Sequence, residues 1–415
     1  MVHNVPELLR WSEDRHGTMS EGRDGWLRGR GDGAAEVVPV ELFFDLVYVL
    51  AITQLTHHVL THLTLRGVGQ TLLLLLAVWW AWVDTAWFTN FFDPRERPVR
   101  LLLLAVMLVS LVMSATLLDA FGSRGAAFAM ALAAMHVGLS CFAVAALGAQ
   151  PEMRRNFQRI LTWRAGSSLL WLAGGLAPGP AREAFWLAAA LMDLASAAAG
   201  FLTPRLGRSE TTDWAIAGGH LAERCRLFVI LALGESILVT GATFGELPGS
   251  VATVTAFVVA FIGSVTLWWL YFDRADEAGR RVISGSSDPG RLGRSAYTYF
   301  HIPIVAGIIA TAAADNLLIA HPAREVTVAT AALILGGPAC YLIGNTLFKW
   351  ALAGYVPRTR LVAIGALVML VPLAAALSIM SLTIAATLVL VALALWDAAR
   401  SGRAHPARSA APARG

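Results

Sequence analysis

An all-α fold, a polytopic bundle of about twelve transmembrane helices in two parallel six-helix repeats, is what this sequence predicts, and three observations carry the expectation. Hydrophobic residues make up 57% of the 415-residue chain and charged residues only 14%, where a soluble domain carries about 25% charged residues. Apolar windows of about 20 residues, the length that crosses a roughly 30 Å hydrocarbon core, recur twelve times. The basic residues segregate between alternate connections: of 32 Lys and Arg, 25 fall on the side of both termini, four on the other, and three (Arg164, Arg224, Arg226) inside helices. That is a strong positive-inside signal, and it places both termini in the cytoplasm. The net charge of +4 therefore reflects topology, and no nucleic-acid partner is expected.

Taken in order, the first window (38–60) opens with Glu41 and Asp45, and the second (69–91) holds Trp79-Trp80-Ala81-Trp82-Val83-Asp84. The third (99–120) closes on Asp119, and the fourth (125–147) is rich in small residues around His136 and Cys141-Phe142. The fifth (157–177) runs through Arg164 to Gly174-Gly175; the sixth (182–202) is largely alanine around Asp193. The seventh (219–242) is apolar except for His220, Glu223, Arg224, Arg226 and Glu235, and the eighth (251–272) ends on Trp268-Trp269-Leu270-Tyr271-Phe272, with Asp273 expected at the headgroups. His301 begins the ninth (296–318), Asp315 lies near its end, and Gly336-Gly337-Pro338 interrupts the tenth (326–348). A short hairpin separates the eleventh (359–377) from the twelfth (380–398). The glycine pairs either open a helix at a substrate or let backbones pack closely.

Residues 1–37 contain no apolar core of a signal peptide and read, like 399–415, as a disordered cytoplasmic tail. The pattern W-W-x-aromatic-x-Asp recurs at an offset of 189 residues (Trp79–Asp84, Trp268–Asp273), and Glu41/Glu223, Asp119/Asp315 and Cys141/Cys340 follow in the same order. We therefore expect one repeat over 38–202, a cytoplasmic linker over 203–218 and a second repeat over 219–398. Six helices per repeat gives both halves the same orientation, as in transporters built from parallel repeats.

Charge inside hydrocarbon needs a reason, since a central Asp, Lys or Arg costs roughly 2.5–3.5 kcal/mol. Glu41 and Asp45 are spaced i, i+4 and share a face; so do His220 and Arg224. Glu235 is eleven residues beyond Arg224, close to three whole turns, which returns it to that face about 16 Å higher. By depth alone Asp45, Asp84, His220, Glu223, Arg224, Arg226 and His301 can meet at the cytoplasmic side, either as salt bridges that lock helices together or as a site. Glu235 has no basic residue within a turn. An isolated buried acid is the best proton- or cation-site candidate in the chain.

Weaker signals are His58 and His62, which have metal-ligand spacing with no Cys or carboxylate nearby, and His136 and Asp193, lone polar groups suited to hydrogen bonds between helices. Cys141, Cys225 and Cys340 all fall within helices, so no disulfide framework is expected. No phosphate-binding loop, nucleophile elbow or H-E-x-x-H sequence is present, and no cofactor, metal or catalytic residue is assigned.

Four stretches resemble the bacterial low-temperature-requirement protein A family: V-E-L-F-F-D-L-V-Y-V-L-A-I-T-Q-L from Val40, W-W-A-W-V-D-T-A-W-F-T-N-F-F-D-P from Trp79, H-L-A-E-R-C-R-L-F-V-I-L-A-L-G-E-S-I from His220, and Y-x-Y-x-H-I-P-I-V-A-G-I from Tyr297. The likeness spans about residues 36 to 398. It implies a multi-pass protein of the bacterial inner membrane, linked by name to growth in the cold, with no substrate attached; Arg226 stands where that family more often has glycine. Phe43–Thr53 is also similar to the first-helix signature of a potassium-channel family with six-helix repeats, sharing Phe44 and Asp45 but not the Ser-Asp-Gly core. The expected function is a transporter or a cation- or proton-conducting protein for an unknown small solute or ion, with Asp45 and Glu235 as protonation or ion sites, Arg224 and Arg226 as counter-charges, and Asp84 with His301 as a gate. Its expected partners are the lipid bilayer and that solute, and the sequence leaves a homo-oligomer open. The alternative is an intramembrane enzyme acting on a lipid or lipid-linked group through His220, Glu223, Asp84 and His301.

Overall fold

Every predicted window overlaps a helix in the computed structural model, which describes residues 24–29, 36–211, 214, 216–272 and 282–403. The helices are α1 (Pro39–Thr61), α2 (Leu65–Phe91), α3 (Arg97–Thr116), α4 (Gly125–Ala146), α5 (Pro151–Leu176), α6 (Pro180–Ala198), α7 (Gly218–Gly245), α8 (Val251–Phe272), α9 (His301–Ala320), α10 (Val328–Ala353), α11 (Arg358–Met369) and α12 (Ile379–Arg403). A 3-10 turn, Val371–Ala376, extends α11 toward the last hairpin. Among the described residues no strand forms, and the only extended pairings are isolated bridges such as Leu27 with Phe92. The chain is an all-α polytopic bundle. Among the described residues ten helical segments are long and apolar enough to cross a membrane; α5, with Arg154, Arg155, Arg159 and Arg164, and α6, with Arg182, Glu183 and Asp193, are less apolar.

The hub is α2. Some 72% of its apolar stretch is buried, against 39% for α3 on the outside, and it touches α1, α4, α6, α7 and α9. Its tryptophans Trp79, Trp80 and Trp82 are fully buried, while Leu108, Leu169, Val251 and Leu395 face outward from other helices. Lipid is as apolar as leucine, so helices in a bilayer adhere by close packing and polar contacts. The glycines serve that end. A Cβ on Gly307 of α9 would lie 2.5 Å from the Tyr341 nitrogen of α10, and one on Gly175 of α5 2.9 Å from the Gly125 carbonyl of α4; both positions hold two backbones together and open no helix.

The copies of the tryptophan motif are placed differently, for Trp268 and Trp269 are 44% and 45% exposed where Trp79 and Trp80 are buried. The most extensive packing also differs, joining α4 to α5 in the first half and α9 to α10 in the second. Asp273 lies outside the described residues. Part of the tail expected over 1–37 is docked: Asp24–Trp26 form a 3-10 turn, the Arg28 nitrogen bonds the Phe91 carbonyl at 2.9 Å and the Asp93 nitrogen the Trp26 carbonyl at 2.9 Å. At the other end α12 continues to Arg403, past the expected tail boundary at 399.

A π-helical segment, Gly293–Tyr299, leads into α9. Its wider turn shifts the register of backbone bonds, and the Thr298 carbonyl accepts the Trp79 indole at 2.9 Å while the Thr298 hydroxyl accepts that of Trp87 at 3.1 Å. The segment thus ties the start of α9 to the hub.

Candidate functional site

Three segments bring charge together where α1 and α7 begin: the turn at Arg28, α1 and α7. Glu41 is fully buried, and its carboxylate accepts the Val38 nitrogen at 3.0 Å, His220 Nε2 at 2.9 Å, Arg224 Nη1 at 3.0 Å and Arg28 Nη2 at 3.3 Å. Asp45, one turn further along α1, accepts Arg224 Nη2 at 2.6 Å and the Trp82 indole at 2.8 Å, both on Oδ1. The i, i+4 spacing on each helix produces this geometry: Glu41 and Asp45 form one edge, His220 and Arg224 the facing one.

The protonation pattern follows from the neighbours. The Asn90 side chain on α2 is oriented by two bonds to Ala217, accepting its nitrogen at 2.9 Å and donating to its carbonyl at 2.9 Å. Its Nδ2 then faces His220 Nδ1 at 3.2 Å and donates to it, so the proton of the imidazole sits on Nε2 and points at Glu41. A neutral His220 leaves Arg28 and Arg224 against Glu41 and Asp45, a sum of zero. Unpaired, each of the three charges that lie within α1 and α7 (Glu41, Asp45 and Arg224) would cost up to roughly 2.5–3.5 kcal/mol, the figure for a bilayer centre. Paired in this way, the group reads as a pin between α1 and α7. Arg28, outside the spans, has its pKa lowered by burial, with the Glu41 carboxylate pulling the other way; a guanidinium stays charged there at neutral pH.

Asp84 belongs to a different group. Arg164 of α5 holds it with Nη2 donating to Oδ1 at 2.8 Å and Nε at 2.6 Å from Oδ2, and donates from Nη1 to Asp193 of α6 at 2.7 Å. The Trp171 indole completes Asp193 at 3.0 Å. His136 Nε2 lies 3.8 Å from Asp84, and neither of its ring nitrogens has a hydrogen-bond partner. Two acids share one arginine.

His301 joins no charged group. Its Nδ1 donates to the Ala296 carbonyl at 2.8 Å, so Nε2 accepts the Tyr271 hydroxyl at 2.7 Å, and the rings of Trp79, Tyr297 and Phe348 surround it. Glu223 and Arg226 pair with each other at 3.4 Å on the half-buried side of α7, where Arg226 also covers the Phe272 ring. The seven residues expected at one depth therefore separate into four places.

Glu235 is 1% exposed, and neither carboxyl oxygen has a hydrogen-bond partner. It faces Thr53 of α1, whose only hydroxyl proton goes to the Val49 carbonyl at 3.0 Å. Asp315 of α9 is 3% exposed and also lacks a partner on Oδ2. Its helix runs five residues past it, so it lies inside the bundle, where the sequence placed it near a helix end. Every other buried acid among the described residues is ion-paired.

Residues 36–395 match the model of a family described as bacterial low temperature requirement A protein. The chain belongs to this family. A protein of Rhizobium meliloti described as uncharacterized is 34% identical over 386 residues, covering 92% of this chain and 93% of its own length. No solved structure matches. The family match takes in Glu41, Asp45, Arg224, Glu235 and Asp315 and leaves out Arg28. Sequence reasoning gave no role to Arg28, Arg164 or Asp315 and treated His136 and Asp193 as lone polar groups. Arg164 did carry a signal, as a basic residue in a window whose neighbouring helix supplies a buried acid.

Proposed function

We propose that this protein conducts protons, or moves a small solute with them, across the bacterial plasma membrane, and that Glu235 is the group that takes up and releases the proton. The single observation that carries the reading is the contrast between Glu235 and the other buried acids: Glu41, Asp45 and Asp193 are each held by an arginine, while Glu235 meets only a hydroxyl already engaged elsewhere. A carboxyl with no fixed counter-charge is the kind of group that mediates proton movement in pumps and transporters. Asp315, on the helix packed against α7, is the second member of such a path. The arginine bias of the connections supports cytoplasmic termini, and the motif spacing supports two halves of equal orientation.

The enzyme reading needed His220, Glu223, Asp84 and His301 in one place. They lie in four separate surroundings, so the geometry favours conduction.

Purified protein in liposomes loaded with a pH-sensitive dye tests the proposal. Under an imposed membrane potential the wild type is expected to collapse a pH gradient, and Glu235→Gln, which keeps shape and removes the titrating proton, to slow that flux at least tenfold. Equal flux in the two proteins removes Glu235 from the path. Absence of proton movement in the wild type, with and without added solutes, overturns the function.

A further inference from the structure

Between α2, α5 and the connection that follows α6 is a cavity of about 80 Å³, with Arg294 and Thr298 of the π-helical segment also on its wall. At roughly 10–15 Å³ of such space per water it holds about five to eight molecules, the bulk of a compact organic solute. Trp80, Trp87, Phe91, Phe157 and Trp214 make much of the wall apolar.

The charged side chains on this wall are Asp84, Arg164 and Arg294, and the first two answer each other. Arg164 Nη2 lies 2.8 Å from Asp84 Oδ1 and Nε 2.6 Å from Oδ2, while Nη1 is committed to Asp193. Arg294 has no such partner. Its Nη1 donates to the Ala197 carbonyl at 3.2 Å, near the C-terminal end of α6, and its Nε–Nη2 edge meets no acceptor among the described residues. That edge is the fork that holds a carboxylate through two parallel bonds. The wall hydroxyls of Ser140, Thr211 and Thr298 already donate elsewhere, to the His136 carbonyl, Asp288 and the Gly293 carbonyl. The guanidinium is thus the strongest donor left to fix the polar end of a ligand.

Pockets that bind small molecules combine apolar walls with a few polar groups that set orientation. Here a cationic ligand would meet Arg294 with nothing to offset it, and a neutral apolar one would leave the fork empty. We propose that this cavity binds a compact apolar carboxylate, its body against the aromatic rings and its anionic end on the Nε–Nη2 edge of Arg294. The site is separate from Glu235 and stands whether or not that residue carries protons.

Binding of radiolabelled isovalerate at neutral pH to the protein in phosphatidylcholine nanodiscs, with counts on empty nanodiscs subtracted, tests the proposal. Saturable binding is expected, with isovaleramide, the uncharged isostere, competing at least tenfold more weakly and isoamylammonium not competing. Arg294→Gln is expected to weaken isovalerate at least tenfold. Because that change also releases the Ala197 carbonyl, Ile160→Phe, which adds bulk at another wall residue and leaves Arg294 in place, is expected to weaken it severalfold as well. Equal competition by the amide or the ammonium, wild-type affinity in both variants, or no saturable binding by the wild type overturns the proposal. Repeating the titration in phosphatidylglycerol nanodiscs separates the remaining occupant: unchanged binding supports a soluble carboxylate, and lost binding gives the fork to an anionic headgroup and overturns it.

Discussion

Glu41 accepts bonds from four donors that come from three parts of the chain, and this economy explains why the acids of α1 can be buried. Removing one partner from such a group leaves a charge in a medium that cannot solvate it. Arg224→Met, which strands Asp45 and leaves Glu41 with Arg28 as its cation, is expected to lower stability by about 3–5 kcal/mol; Arg224→Lys keeps the charge but loses the two-pronged reach, and about 1.5–3 kcal/mol with it. The reactivity of Cys225, a fully buried free thiol, toward a maleimide dye during heating reports both changes if the exposed Cys141 is first replaced by serine. Equal unfolding in wild type and Arg224→Met would show that the network adds nothing to stability. The facing edges of this group were legible in the sequence from i, i+4 spacing. What was not legible was the choice of partner, since Asp84 is 80 residues from Arg164 and periodicity carries no information on which helices touch.

Helices were the most legible level, because a bilayer imposes one length and one composition on each of them. The order of contacts between them escaped the sequence. So did the meaning of Gly307 and Gly175, because a glycine that opens a helix and one that admits a neighbour look alike on paper. Here the nearest atoms are backbone. Gly307→Val is therefore expected to separate α9 from α10 and lower the midpoint of thermal unfolding in detergent by several degrees, whereas Gly336→Ala, with open space around its Cβ, is expected to change it by less than a degree. The π-helical entry to α9 was also invisible beforehand. No residue in Gly-Arg-Ser-Ala-Tyr-Thr-Tyr announces it, and the indoles of Trp79 and Trp87 that bond Thr298 come from a distant helix.

For the whole molecule, the charged groups, the aromatic cavity and the π segment all gather at the end where α1, α7 and α9 begin, and the unpaired acids lie farther along α7 and α9. The arginine bias supports a cytoplasmic placement of that end. A cysteine replacing Ser123, between α3 and α4, is then expected to react with a membrane-impermeant maleimide in intact cells, and one replacing Glu152, at the start of α5, only after the cells are permeabilised. The reverse pattern would invert the topology.

Arg28 has a bearing on how the protein is made. Arg224 is 183 residues from Glu41 along the chain and Arg28 only 13. At about 5–20 residues per second, α1 leaves the ribosome roughly ten to forty seconds before the arginine of α7 exists. Throughout that interval Arg28 is the cation already at hand to escort Glu41 into the bilayer, so the docked N-terminal turn serves the nascent chain before it serves the finished one.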